Sequence, residues 1–207
     1  IYMLFRLIYL PPLLIYLSAG VSGLTSIVGI FFLKDYLNLS AAFIASIGFW
    51  AGIPWALKMP VGFLVDKFWK NKNYLVLLGA VIIFVSIFIM FLLISKRDLM
   101  EAFLPAETWF ILSSILTPVG YVIQDVVADA MTVEAVESKS NRKYNKEISK
   151  RNEHMLLQLY GRFSIILGSL LVGLINIYFF SGVDNMKESQ TLQAYTNVYF
   201  LALFIPL

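Results

Sequence analysis

Six apolar runs, near 13–33, 41–65, 75–95, 108–131, 155–180 and 194–207, mark this chain, with polar stretches between them. The first five each hold the ~20 residues that an α-helix needs to cross ~30 Å of hydrocarbon at ~1.5 Å per residue. The sixth is too short for that, stopping at Leu207 inside an apolar stretch. With Ile1 rather than Met at the start, this leads us to expect a piece of a longer protein. Composition points the same way as the pattern: 59% of residues are hydrophobic, 14% are charged and the mean hydropathy is +0.79. Those values lie far from the balance of a soluble domain. An all-α integral membrane protein is predicted.

Lys and Arg positions orient the spans, because cytoplasmic loops carry an excess of them. The connection after the second run holds Lys67, Lys70 and Lys72, and the one after the fourth holds Lys139, Arg142, Lys143, Lys146, Lys150 and Arg151. The opposite loops hold only Lys34, Lys96, Arg97 and Lys187. The N-terminus and the even-numbered connections are therefore expected in the cytoplasm, with the plasma (inner) membrane as the expected location. The net charge of +3 reflects this bias rather than nucleic-acid binding. Cysteine is absent, which excludes disulfides and thiol chemistry. A cleaved signal peptide is not expected, since the first run continues through Phe32 without a small-residue cleavage site.

The organisation that follows has four parts. Residues 1–12 are an interfacial helix or an extension of the first span, with Pro11 and Pro12 at its end, and 13–135 carry the first four spans. Residues 136–154 form a basic cytoplasmic linker, and 155–207 hold the fifth span and a truncated sixth. Three spans, a basic linker and three more spans describe one half of a transporter built from 3+3 inverted repeats. The third run has almost nothing polar, which predicts a peripheral, lipid-facing helix. The first carries Ser18, Gly20, Ser22, Gly23, Thr25, Ser26 and Gly29, and the fourth carries Ser113, Ser114, Thr117, Pro118, Gly120 and Gln124, so these two should line the interior.

Four ionisable residues, Lys58, Asp125, Asp129 and Arg162, lie inside the runs. A charge at mid-helix in lipid costs roughly 2.5–3.5 kcal/mol on insertion scales, so such groups face protein or an aqueous cavity. Counted from the cytoplasmic ends of their spans, Lys58, Asp125 and Arg162 lie at depths of ~12, ~9 and ~10 Å, in one layer. Treating the fourth and fifth helices as antiparallel neighbours predicts an Asp125–Arg162 pair and leaves Lys58 either facing a cavity or snorkelling to the headgroups. Asp129 falls one turn from Asp125 on the same face. Gly62 and Asp66, at the cytoplasmic end of the second run, read as a gating turn, with Asp66 placed to cap the next helix or meet basic residues.

Several segments bear on family. Residues 20–24 (GVSGL), 32–42 (FLKDYLNLSAA), 53–60 (IPWALKMP), 62–66 (GFLVD) and 125–134 (DVVADAMTVE), in this order and spacing, resemble the folate/biopterin transporter family of the major facilitator superfamily. The resemblance covers roughly 13–135 well and the remainder through its hydrophobic pattern and Arg162. It implies a six-helix half of a twelve-helix bundle whose other half is missing here, and charged positions associated with transport at Lys58, Asp125, Asp129 and Arg162. Met59 between Lys58 and Pro60 departs from the family's Lys-Pro, as does the shortened stretch KFWKNKNYL after Asp66.

The expected function is a secondary active transporter working by alternating access on a folate/pteridine-type or other small organic anion. Protons are candidate coupling ions, and the segment alone is expected to be transport-incompetent. Neither an enzyme nor a bound metal or cofactor is expected. Two readings from other classes remain alongside it. Asp125 and Asp129, four apart, could chelate Mg²⁺ in an intramembrane prenyl or phosphatidyl transferase, although no second ligand motif accompanies them. A non-transporting membrane subunit or receptor is the other. The only histidine, His154, sits in the linker.

Overall fold

The computed structural model describes residues 9–35, 40–137, 146–182 and 188–206, and all regular structure among them is helical. The order is α1 (Leu10–Val21), α2 (Gly23–Asp35), α3 (Ala41–Ala56), α4 (Lys58–Lys67), a 3-10 turn (Trp69–Asn71), α5 (Lys72–Ser95), α6 (Arg97–Glu101), α7 (Ala106–Glu137), α8 (Lys146–Phe180) and α9 (Glu188–Ala202). Five helical stretches are long and apolar enough to cross a membrane: Leu10–Phe32, Ala41–Lys67, Trp69–Ser95, Ala106–Val136 and Arg151–Phe180. They coincide with the first five apolar runs and fit a multi-pass membrane protein.

Local chemistry sets the boundaries. Pro11 and Pro12 occupy the first turn of α1, where a missing N–H costs nothing because that donor has no partner inside the helix. They start the first span rather than preceding it. Ser40 caps α3, its hydroxyl accepting from the Phe43 amide at 3.2 Å. The second span breaks at Leu57, between α3 and α4. Pro60 lacks the N–H that would bond the carbonyl of Ala56 four residues back, and its ring crowds that carbonyl. At the far end of α8, Gly182 adopts a positive φ of 85°, the left-handed conformation in which helices commonly stop. The basic linker is shorter than expected, since α7 runs to Glu137 and α8 begins at Lys146. Residues 138–145, like most of the 1–12 segment, lie outside the described residues.

Two glycine crossings fix the packing. A Cβ at Gly79 of α5 would lie 2.9 Å from the Gly120 carbonyl oxygen of α7, and one at Gly120 would lie 2.8 Å from the Gly79 oxygen. A Cβ at Gly168 of α8 would lie 2.6 Å from the Leu17 carbonyl oxygen of α1. Only glycine lets these backbones approach so closely. Between α5 and α7, the Ser86 hydroxyl sits 2.9 Å from that of Ser113 and 2.5 Å from that of Thr117, a buried polar knot inside an apolar interface.

The third span departs from its predicted peripheral place. One face, with Tyr74, Leu77, Val81 and Phe88, is exposed, but Gly79, Ile83, Ser86, Met90 and Leu93 are buried, chiefly against α7. A run almost free of polar residues hides which of its faces packs, and the small residues Gly79 and Ser86 are what mark it. The first and fourth spans are the most enclosed of the five, as expected from their small and hydroxylated residues.

Candidate functional site

The break at Leu57 puts Lys58 at the first position of α4, turned toward α7. Its ammonium lies 2.5 Å from Asp125 Oδ2 and 2.8 Å from Asp129 Oδ2. The two aspartates are four apart on α7, so one turn of helix presents both carboxylates to a single ammonium. Asp125 is the enclosed member, with its side chain 16% exposed, while Lys58 and Asp129 are 41% and 51% exposed. Tyr16 of α1 donates its hydroxyl to Asp129 Oδ1 at 2.5 Å, and its ring packs where a side chain at Gly161 of α8 would go. Four helices thus meet at one cluster. Compared with protein-family models, curated proteins and solved structures, the chain matches none.

The predicted Asp125–Arg162 pair is not formed. The fifth span packs chiefly on α1 and only lightly on α7. Its buried positions, Leu157, Gly161, Gly168 and Val172, recur at helical spacing toward α1. Arg162, one residue past Gly161, is turned about 100° away from that face and is exposed. Lys58 takes the place expected for Arg162 and is neither free in a cavity nor snorkelled. Gln124 is buried, and its amide donates to the Val76 carbonyl at 3.3 Å, beside the Gly79–Gly120 crossing. It ties α5 to α7. Gly62 faces Val126, whose Cγ1 lies 3.9 Å from where a Cβ would be. Asp66 is exposed and caps neither following element, since the N-cap of the 3-10 turn is Phe68 and that of α5 is Asn71, and neither position has a side-chain cap. At this end of the span Lys72 of α5 pairs instead with Glu134 of α7.

Tyr16 was not singled out from the sequence. The available signal was a phenol in an apolar run, since a buried tyrosine hydroxyl ordinarily finds a partner. Tyr16→Phe keeps the ring and removes only the donor. We expect it to lower stability by about 1 kcal/mol, within the ~0.5–1.5 kcal/mol range for a hydrogen bond and held down by the exposure of Asp129. Thermal unfolding of the purified protein would measure this, and no change would mean that the bond is not made in the membrane.

A second feature lies one turn along α7. Ser22, Ser26, Trp55, Ser114 and Tyr121 are among the residues lining a cavity of about 440 Å³ between α2, α3 and α7, and Tyr199 of α9 also lines it. Tyr199 donates to the Thr25 carbonyl at 2.9 Å, holding α9 on α2.

Proposed function

We propose that this chain is the N-terminal six-helix half of a secondary active transporter working by alternating access. The observation that carries the reading is the Lys58 ammonium shared between Asp125 and Asp129. It joins the kinked second span to the fourth within the membrane, and it is partly open. An inter-span ion pair of this kind can break and re-form as helices rock, and intramembrane carboxylates next to a cavity are typical of coupling pathways. The sequence resemblance supports the folate/biopterin branch of the major facilitator superfamily. It also supports a pteridine-type or other small organic anion as cargo, with protons as coupling ion. Lys58, being doubly paired, gives that charge preference no support of its own.

The Mg²⁺ transferase reading has less to rest on. Among the described residues no third His, Cys, Asp or Glu joins Asp125 and Asp129 in a cluster. The space between the two carboxylates is held by an ammonium.

Uptake into vesicles by the full-length protein, with and without a pH gradient, tests the reading. Asp129→Asn should abolish uptake or its pH dependence with insertion intact. Mg²⁺-dependent turnover of a polyprenyl or phosphatidyl substrate, lost in the same variant, would favour the enzyme. Orientation has its own check. Lys70→Cys should react with an impermeant thiol reagent only from the cytoplasmic side, and Leu99→Cys only from outside. The reverse pattern would overturn the proposed cytoplasmic N-terminus.

A further inference from the structure

Among the described residues, none that lines the cavity between α2, α3 and α7 is charged. Several of its hydroxyls share one state. Ser22, Thr25 and Ser26 donate to carbonyls one turn back in the same span, at 2.6, 3.1 and 3.0 Å. Thr117 donates to the Ser113 carbonyl at 3.1 Å. The oxygens of Ser22, Thr25 and Ser26 have committed their protons and present lone pairs to whatever enters. Trp55 and Phe110 add ring surface. Tyr121, also in the lining, is 5% exposed.

The surroundings decide the charge of whatever binds there. Among the described residues, the lining offers a carboxylate no cation to offset its desolvation. One turn away, beyond Tyr121, one ammonium against two carboxylates leaves the Lys58 cluster with a formal charge of −1. That cluster would repel an anion as well. We propose that the cavity binds an uncharged, ring-bearing group carrying N–H or O–H donors, as the cargo or as the uncharged ring part of it. The cargo role rests on the transporter reading above, whereas the existence of the site does not.

The chain holds no cysteine, so an introduced thiol reports on its own position. Ser114→Cys and Ser26→Cys, on opposite walls, are near-isosteric changes. Each variant of the full-length protein, in lipid nanodiscs, would be treated with benzyl methanethiosulfonate and with its para-carboxylate analogue. Modification is followed by the mass of the labelled peptide, and rates are normalised to Leu99→Cys, an open position. The uncharged reagent should outpace the anionic one by roughly tenfold or more at both cavity positions, reflecting the cost of an unpaired buried charge. Equal normalised rates would mean the cavity accepts anions and would overturn the proposal. So would the absence of reaction with either reagent while Leu99→Cys labels, since lipid or protein would then fill the space. If one variant fails to fold, the other decides. Selective labelling in a protein that transports nothing would sink the transporter reading and the cargo role but leave the site standing.

Discussion

Lys58→Met should be the most damaging neutralisation in the membrane, because it strands two carboxylates at once. Removing one partner of a buried ion pair costs about 3–5 kcal/mol. Here Asp129 is half exposed and Asp125 is not, so a loss near the lower end, about 3 kcal/mol, is expected. The triple variant Lys58→Met/Asp125→Asn/Asp129→Asn removes every charge of the cluster and should recover folding. If the cluster only holds helices together, transport should return with it; if it carries a coupling ion or moves during the cycle, folding returns alone. Double-mutant cycles separate this arrangement from the one expected from depth alone. Lys58 and Asp125 should couple, while Asp125 and Arg162 should be additive within about 0.5 kcal/mol. Coupling of Asp125 to Arg162 in unfolding measurements would overturn the placement of the fifth span.

That contrast shows where sequence reasoning reaches and where it stops. Distance from a span's end is a count of residues at a fixed rise, so the common depth of Lys58 and Asp125 was legible, and the two do meet. Lateral order is a different quantity. Chain adjacency suggested that the fourth and fifth spans would be neighbours, but α1 packs against both, and α8 lies chiefly on α1. The glycines of α8 held that information. Gly161 and Gly168 sit seven apart on one face, and Arg162 is off it. Small residues on a helix mark the face that packs, so the charge beside them had to point elsewhere.

The interior role of the first and fourth spans was legible for a related reason. Hydroxyls and glycines are poor choices for a lipid-facing surface, and Ser22, Ser26, Ser114 and Thr117 line the cavity. The second span was harder. Its composition is mixed, and the break that aims Lys58 depends on Pro60 acting on a carbonyl four residues back, a local effect whose direction in space a one-dimensional pattern does not record. Tyr16 escaped because its partner, Asp129, is 113 residues away. Nothing short of the packing of α1 on α7 brings them together.

Glycine substitutions within the single helix α8 provide the second large effect and its control. At Gly168 an added methyl would lie 2.6 Å from the Leu17 carbonyl oxygen and 2.9 Å from Gly20 Cα, all backbone that cannot rotate away. Gly168→Ala should therefore push α8 off α1 and destabilise by about 1–3 kcal/mol, the usual range for overpacking. At Gly173, in the same helix, nothing lies within 4 Å of the new methyl. Alanine there only removes glycine's excess freedom, and a gain of about 0.5–1 kcal/mol is expected. Because α1 carries Tyr16, displacement of α8 should also loosen the hydrogen bond to Asp129, so Gly168→Ala should impair uptake beyond its loss of folded protein, whereas Gly173→Ala should not. Thermal unfolding and uptake per folded molecule, measured on both variants, test this directly. A Gly168→Ala protein as stable as Gly173→Ala would show that α1 and α8 do not cross at these residues, and the location of Arg162 away from the charge cluster would lose its physical basis.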